Sequence, residues 1–221
     1  MPDIKKQRVR LLRIIEPSVE LLSEIDGAGM LKAIERAGRT CYRSEGRITD
    51  TSAAAFVRQL IKNGHEAMLE HAPAISIRFI CDRGVANETV RHRLFSFAQE
   101  STRYCNYGKN KFNNELTFIK PCFWEEDSGA YKAWLSVMDM AEHTYLELLN
   151  KHGAAPEQAR DILPISIKTE LVVTGNVREW RHFFRLRTDK AAHPQMRQIA
   201  NMALDMLRDK IDILFDDVTI L

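Results

Sequence analysis

The chain reads as an α+β protein, one domain over residues 1–221 with a mixed or antiparallel sheet flanked by long helices. Three observations carry that reading. Ala74 to Cys81 (AISIRFIC) alternates apolar and polar residues, as a half-buried strand does. Glu125 to Lys151 repeats apolar residues at helical spacing, and a second long helical pattern starts at Pro194. No repeat, low-complexity tract or linker divides the 221 residues, a length that one core, or one core with a small annex, can fill.

Taken in order, Val9 to Ile15 is an apolar run stopped by Pro17 and predicts a strand, and Ser18 offers an N-cap for a helical stretch through Arg36, broken at Gly27 and Gly29. Thr51 to Lys62 has helical spacing through Ala54, Phe56, Leu60 and Ile61, and Pro73 ends what precedes the strand at 74–81. Arg83 to His92 predicts a helix that delivers Arg91 to Arg93 at its C-terminus, where cations complement the helix dipole by about 0.3 to 1 kcal/mol. In the helix over 125–151, Trp134, Val137, Met138, Ala141, Tyr145 and Leu148 form one stripe that is expected in the core, with Gly153 at its end. Pro156 opens a helical turn carrying Arg160. Ile165 to Thr174 is β-branched enough for a strand or a buried helix. Asn176, followed three residues on by Glu179, has the form of a capping box. The last helix turns Ile199, Met202, Met206, Ile213 and Leu214 inward.

The formal net charge of +2 gives no long-range attraction for nucleic acid, so an anion site has to be local. Cys41, Cys81, Cys105 and Cys122 are scattered without a CxxC pair or a metal-ligand spacing and read as reduced thiols. The opening MPDIKKQRVR has no apolar signal core, and no window nears the roughly 18 apolar residues of a membrane span. The expectation is a soluble, cytoplasmic protein.

The chemistry concentrates at Arg91 to Tyr104, RHRLFSFAQESTRY. Arg91 and Arg93 flank His92, placing three cations side by side, and Ser96, Ser101 and Arg103 add hydroxyls and a second rigid fork. Unpaired, such charges repel, so a phosphate or a carboxylate-rich neighbour is the expected partner. A solvated basic turn is the competing reading; Leu94, Phe95 and Phe97 argue for half-burial, where guanidinium groups need partners. A second basic group, Arg178, Arg181, His182, Arg185 and Arg187 in NVREWRHFFRLR, alternates with aromatic residues; on a helix Arg178 and Arg181 or His182 share a face with Arg185. Arg160 is a lone cation on QARDILP, for which an ion pair with Asp161 is the plain account.

Other constellations fail on spacing. In HEAMLEH, His65 and His71 lie six apart and complete neither HExxH nor HxxEH, so no metal site is expected. Gly27-Ala28-Gly29 lacks a leading strand and has Lys32 where the third glycine of a dinucleotide fingerprint belongs. Cys122 after Pro121 reads as structural.

The spacing RHRxxSxxxxSxR, filled at all six defined positions by Arg91, His92, Arg93, Ser96, Ser101 and Arg103, resembles the signature of the flavin-dependent thymidylate synthases, enzymes that methylate dUMP using a reduced flavin. The likeness runs from GHEAMLEH at Gly64 to LRTDKAAHPQ ending at Gln195; the first sixty residues match loosely. It implies a homotetramer whose active sites, with FAD and dUMP stacked together, lie at subunit interfaces. It implies flavin contacts from Ala67, Arg91, His92, Arg93, Gln99, Asn176, Val177, Arg178 and His182. The nucleotide would meet Glu88, Thr89, Val90, Arg91, Gln99, Glu100, Ser101, Thr102, Arg103 and Arg160, with Ser101 and Arg103 on its phosphate. Arg187, in the LRxD element, would stabilise the uracil ring with N3 deprotonated. The carbon would come from methylenetetrahydrofolate and the reducing equivalents from NADPH. The chain departs from the family pattern at Ala67 (often a hydroxyl residue), Glu88 (glutamine), Gln99 (glutamate in some members) and His182 (asparagine). The Glu88 change puts a negative charge beside the nucleotide. A non-catalytic nucleotide- or RNA-binding module, stacking bases on Phe95, Phe97, Trp180 and Phe183, is the alternative reading.

Overall fold

The structure is a computed structural model and describes residues 12–218. These fall into two compact units, one made of residues 12–16 and 100–168 and the other of 17–99 and 169–218.

The larger unit is built on a four-stranded sheet in the order β2-β3-β6-β4, with β2 at Ser18–Leu21, β3 at Ile75–Asp82, β4 at Ser96–Gln99 and β6 at Lys168–Gly175. β2 runs antiparallel to β3, with Phe79 opposite Val19, and β4 runs antiparallel to β6, with Phe97 opposite Val173. The alternation seen in AISIRFIC has its expected effect: Ile75, Ile77, Phe79 and Cys81 are buried while the residues between them are half-exposed. In β6, Thr169, Leu171 and Val173 repeat that pattern, which decides the open choice between strand and buried helix in favour of strand.

Helices α1 (Gly27–Thr40), α2 (Ser52–Lys62), α3 (Arg83–Thr89), α6 (Val177–Arg187) and α7 (Pro194–Ile211) cover this sheet. The segment expected to be helical from Ser18 is instead strand β2, and α1 begins only at Gly27, where the Asp26 carboxylate accepts the Gly29 N–H at 3.0 Å. Gly27 and Gly29 therefore start a helix rather than break one, and an acidic side chain closes the helix N-terminus. α3 ends at Thr89, three residues short of the expected end, which leaves Arg91 to Arg93 in the turn beyond it. The core joins Ile34, Val57, Leu69, Ile77, Phe79, Leu171 and Val173 to Trp180, Phe183 and Phe184 of α6 and to Ile199, Ala203, Leu204 and Leu207 of α7. Met202, expected inside, lies on the outer face, and Ala203 takes the inner one.

Two features lock α6 in place. Phe95 packs 4.6 Å from the Trp180 ring centre and fills the space over Gly175, where a Cβ would lie 2.1 Å from a ring carbon of Phe95. Trp180 donates its indole N–H to the Ile75 carbonyl at 3.0 Å. On the other side, Arg181 is completely buried. It donates to both Asp217 carboxylate oxygens at 2.6 Å, to the Leu214 carbonyl, and to Glu66 at 3.1 and 3.2 Å. Glu66, which also receives Arg185, is held at a pKa of about 2 by these two guanidinium groups.

The smaller unit pairs β1 (Arg13–Ile15) in parallel with β5 (Thr117–Ile119) and packs α4 (Gly129–Asn150) and α5 (Pro156–Ala159) around Tyr107, Leu116, Phe118, Met138, Tyr145 and Ile167. The Val9–Leu11 part of the first expected strand lies outside the described residues. α4 starts at Gly129 with Ser128 as its cap rather than at Glu125. Its stripe is buried at Met138 and Tyr145, but Val137 is 58% exposed. Gly153, at φ +66°, supplies the left-handed residue that follows the helix. No helix among the described residues is long and apolar enough to cross a membrane.

Replacing Gly175 by alanine forces Phe95 off the Trp180 ring, and we expect a loss of about 1 to 3 kcal/mol, measured by urea unfolding. Because Glu66 holds its proton less tightly when folded than when unfolded, its contribution is complete above the usual 4.5 and is lost as pH falls toward about 2. The urea midpoint of the wild type should fall through that acid range more steeply than that of Glu66→Gln.

Candidate active site

A cavity of about 740 Å³ in the larger unit brings the Arg91–Arg93 part of the first basic cluster together with most of the second. The turn after α3 contributes Arg91, His92, Arg93 and Leu94; α6 and its cap contribute Asn176, Arg178, Glu179, His182, Arg185, Leu186 and Arg187. The 3₁₀ turn Glu66–His71 contributes Glu66 and Glu70. α6 is one face of this wall because its other face, Trp180, Phe183 and Phe184, is fixed in the core. Arg178, His182 and Arg185 are exposed along it, whereas Arg181, expected on the same stripe, points inward.

His92 corrects the expectation of three adjacent cations. Its ring is buried 5.0 Å from the Phe183 ring centre, and burial, reinforced by Arg187 and His182 nearby, lowers its pKa to about 4. The imidazole is therefore neutral at pH 7, and its Nε2 accepts the Arg187 Nε–H at 2.9 Å. A neutral ring with an accepting Nε2 carries its proton on Nδ1, the nitrogen 3.7 Å from the Glu179 carboxylate. The orienting acid, invisible within the motif, thus comes from α6. With Nε2 already occupied, His92 has no free lone pair for a serine hydroxyl. Glu179 is itself buried and its pKa is raised by that burial. The capping box forms only one arm: the Asn176 side chain accepts the Glu179 N–H at 2.9 Å, while the Glu179 carboxylate faces His92.

The cations divide into two classes. Arg178 pairs with Glu70 at 2.6 Å, Arg185 with Glu66, and Arg187 with Glu88 at 3.1 Å. The side chains of Arg91 and Arg93 are exposed and make no hydrogen bond or ion pair among the described residues. Leu94, between them and the strand, is 79% exposed, and Leu186 on α6 is 51% exposed. Free guanidinium groups beside exposed apolar side chains suit a ligand that is part anion and part planar ring. Among the described residues no group of three His, Cys, Asp or Glu side chains lies close enough to hold a metal ion.

The remaining sequence-predicted residues are placed as follows. Ala67 lines a separate, mostly apolar cavity of about 520 Å³ together with Phe56, Leu60 and Met68. Thr89 is buried and bonds the Val85 carbonyl, Val90 packs on the core, and the Val177 side chain is fully buried, so Val177 can offer a ligand only its backbone. Gln99 is exposed on β4. Within the smaller unit, Glu100 accepts from Tyr107 at 2.7 Å and Lys168 at 2.9 Å, Thr102 is buried, and the Ser101 hydroxyl oxygen accepts the Arg103 N–H at 3.3 Å. Arg103 is half-exposed, lies 5.3 Å over the Tyr104 ring and pairs with Glu157 at 3.5 Å. Arg160 is exposed and forms no ion pair among the described residues, so the plain account through Asp161 does not hold. Sequence reasoning missed Glu66, Glu70 and Glu179 as partners of the site. For Glu66 and Glu70 the one signal was an excess of carboxylates beside histidine in HEAMLEH, which fits arginine pairing once metal spacing is excluded, whereas Glu179 stood out only as the third residue after the cap Asn176.

The family model described as thymidylate synthase complementing protein matches residues 20–211. The flavin-dependent thymidylate synthase of Corynebacterium aurimucosum is 35% identical over 212 residues, covering 88% of this chain and 83% of its own. That of Mycolicibacterium gilvum is 32% identical over 240 residues, covering 100% and 93%. The UMP/dUMP methylase PolB from Streptomyces cacaoi, in a crystal structure bound with 5-Br dUMP, superposes with a TM-score of 0.76 at 23% identity over 93% of this chain and 96% of that one, and so shares the fold. On the family match and these relatives, the chain belongs to the flavin-dependent thymidylate synthases.

Proposed function

We propose that this protein converts dUMP to dTMP by reductive methylation, with 5,10-methylenetetrahydrofolate as carbon donor and NADPH as the source of reducing equivalents. Family membership makes it a FAD-dependent thymidylate synthase. The observation that carries the reading is the cavity in which Arg91 and Arg93 have no partner among the described residues while Arg187 is held in the wall. Its volume of about 740 Å³ falls in the range of small-molecule sites, roughly 300 to 1,000 Å³. Arg91 and Arg93, with the Asn176–Arg178 element and His182, hold FAD, and Leu94 and Leu186 give its ring an apolar surface. When bound, the reduced flavin supplies the hydride.

The chain's own residues supply charge and orientation. The N3 proton of uracil is too weakly acidic to leave at neutral pH unless a fixed cation meets the resulting anion, and arginine keeps its charge under all such conditions. Arg187 is that cation. Ser101 and Arg103 take the nucleotide phosphate, joined by Arg160. The enzyme acts in the cytoplasm as a homotetramer with its flavin and nucleotide at subunit contacts, and the exposed Leu94 and Leu186 are surfaces that such assembly covers. Three of the four rings that a base-stacking role would use, Phe95, Trp180 and Phe183, are buried and packed on one another, and the fourth, Phe97, is half-buried against the same core, which disfavours that role.

The purified protein should be yellow and should form dTMP only with dUMP, folate donor and NADPH together; a colourless protein that takes up no FAD on reconstitution overturns the reading. Arg187→Ala should lower dTMP formation by about a hundredfold or more while FAD absorbance is retained. Since His92 stays neutral down to about pH 4, its titration should leave no inflection in the pH–rate profile near 6.5. An RNA affinity that is tight at physiological salt, alongside weak dUMP binding, would favour the binding-module alternative.

A further inference from the structure

Arg187 is held on every nitrogen. Nε donates to His92 Nε2 at 2.9 Å, Nη1 to the Glu88 carboxylate at 3.1 Å, and Nη2 to the Glu88 main-chain carbonyl at 3.2 Å. A guanidinium has five N–H bonds, so these contacts leave one hydrogen on each terminal nitrogen. Arg187 is only 21% exposed and lines the cavity, whereas Glu88 does not line it. Glu88, with its side chain 38% exposed, therefore meets the guanidinium from outside the cavity lining, and it grips by two independent means, side chain and main chain of one residue, in the last turn of the helix that ends at Thr89. The main-chain contact survives any substitution at position 88. The side-chain contact alone depends on its identity.

We infer that Glu88 is a positioning residue: its carboxylate fixes the Arg187 fork so that the two remaining N–H bonds meet adjacent acceptors on the ionised edge of the pyrimidine, and its negative charge moderates the cation that the ring encounters. This rests on the role of Arg187 stated above. It assigns Glu88 a place behind the arginine rather than against the nucleotide. A glutamine at this position keeps an acceptor for Nη1 and removes the charge; an alanine removes both. Geometry and charge are thereby separable, because loss of the acceptor lets the fork turn and misplacement by about 1 Å can cost on the order of a hundredfold in rate, whereas loss of the charge alone leaves the fork in place and strengthens its pull on an anion.

The test compares FAD-loaded wild type, Glu88→Gln and Glu88→Ala, with kcat for dTMP formation and the calorimetric Kd for dUMP measured on each. We expect Glu88→Ala to lose at least tenfold in kcat, Glu88→Gln to restore kcat to within about threefold of wild type, and Glu88→Gln to bind dUMP several-fold more tightly. Wild-type kcat in Glu88→Ala, or equal impairment in both variants, overturns the inference while leaving the function intact. Should Glu88→Ala fail to fold, the Glu88→Gln Kd decides: an unchanged or weakened value overturns the inference. A wild type that neither binds dUMP nor makes dTMP removes the functional reading, and this inference with it.

Discussion

A guanidinium does not give up its proton, so each arginine that α6 carries toward the core or into the cavity wall has to meet an acceptor, and the surrounding elements are arranged by that need. The helix has eleven residues, of which Trp180, Phe183 and Phe184 are fully buried. Its helical period then dictates the rest: Arg181 must enter the core beside them, and Arg178, Arg185 and Arg187 emerge at the cavity. Arg181 is satisfied by Asp217, by the Leu214 carbonyl and by Glu66, which ties the end of the chain and the 3₁₀ turn at 66–71 to the same helix. A buried ion cluster of this kind is weak evidence for net stability, yet removing one member strands the others, typically at about 3 to 5 kcal/mol. Its value to the protein lies in fixing where α6 sits, and so where the site's cations point.

The sequence reading found much of this frame because its strongest signals were local. Alternation in β3, helical spacing in α2 and α7, and the cap at Asn176 each depend on neighbours within a few residues, and each appears in the structure. It went wrong where a local signal was ambiguous. Ser18 caps helices well, but here the following residues pair with β3, and a helix start was available at Asp26. Val137 shares the apolar spacing of α4 without sharing its buried face, since that face is centred on Tyr131, Met138, Glu142 and Tyr145 and Val137 lies about 100° around the helix from it. The motif at 91–103 was legible as a basic cluster, but the neutrality of His92 was not, because it depends on burial against Phe183, ninety residues away in the chain. The same distance hid the carboxylates: Glu66 meets Arg185, and Glu70 meets Arg178, across more than a hundred residues.

The pairing pattern separates cations that build the wall from cations left to a ligand. Arg178, Arg185 and Arg187 each have a carboxylate; Arg91 and Arg93 have none among the described residues. In an approximately neutral chain, five adjacent arginines without such compensation would set up strong mutual repulsion. Glu66, Glu70 and Glu88 remove most of that cost locally and leave a net positive rim at the turn after α3. An incoming anion is then attracted chiefly by groups that break no ion pair among the described residues on binding it. The paired arginines act differently, since their direction is set before any ligand arrives, which is the condition for electrostatic stabilisation without reorganisation.

The motif RHRxxSxxxxSxR serves both compact units from one stretch of thirteen residues. Arg91 to Ser96 belong to the larger unit, where Phe95 anchors them against Trp180 and β4 continues them into the sheet. Ser101 and Arg103 belong to the smaller unit, where Thr102 is buried and Glu100 is held by Tyr107 and Lys168. Apolar or satisfied residues thus alternate with the functional ones along the string, and each functional residue gains its direction from an immobilised neighbour. What the motif requires between its cations and hydroxyls is anchoring, which Phe95 and Thr102 provide by burial and Glu100 by its ion pair with Lys168 and its hydrogen bond from Tyr107.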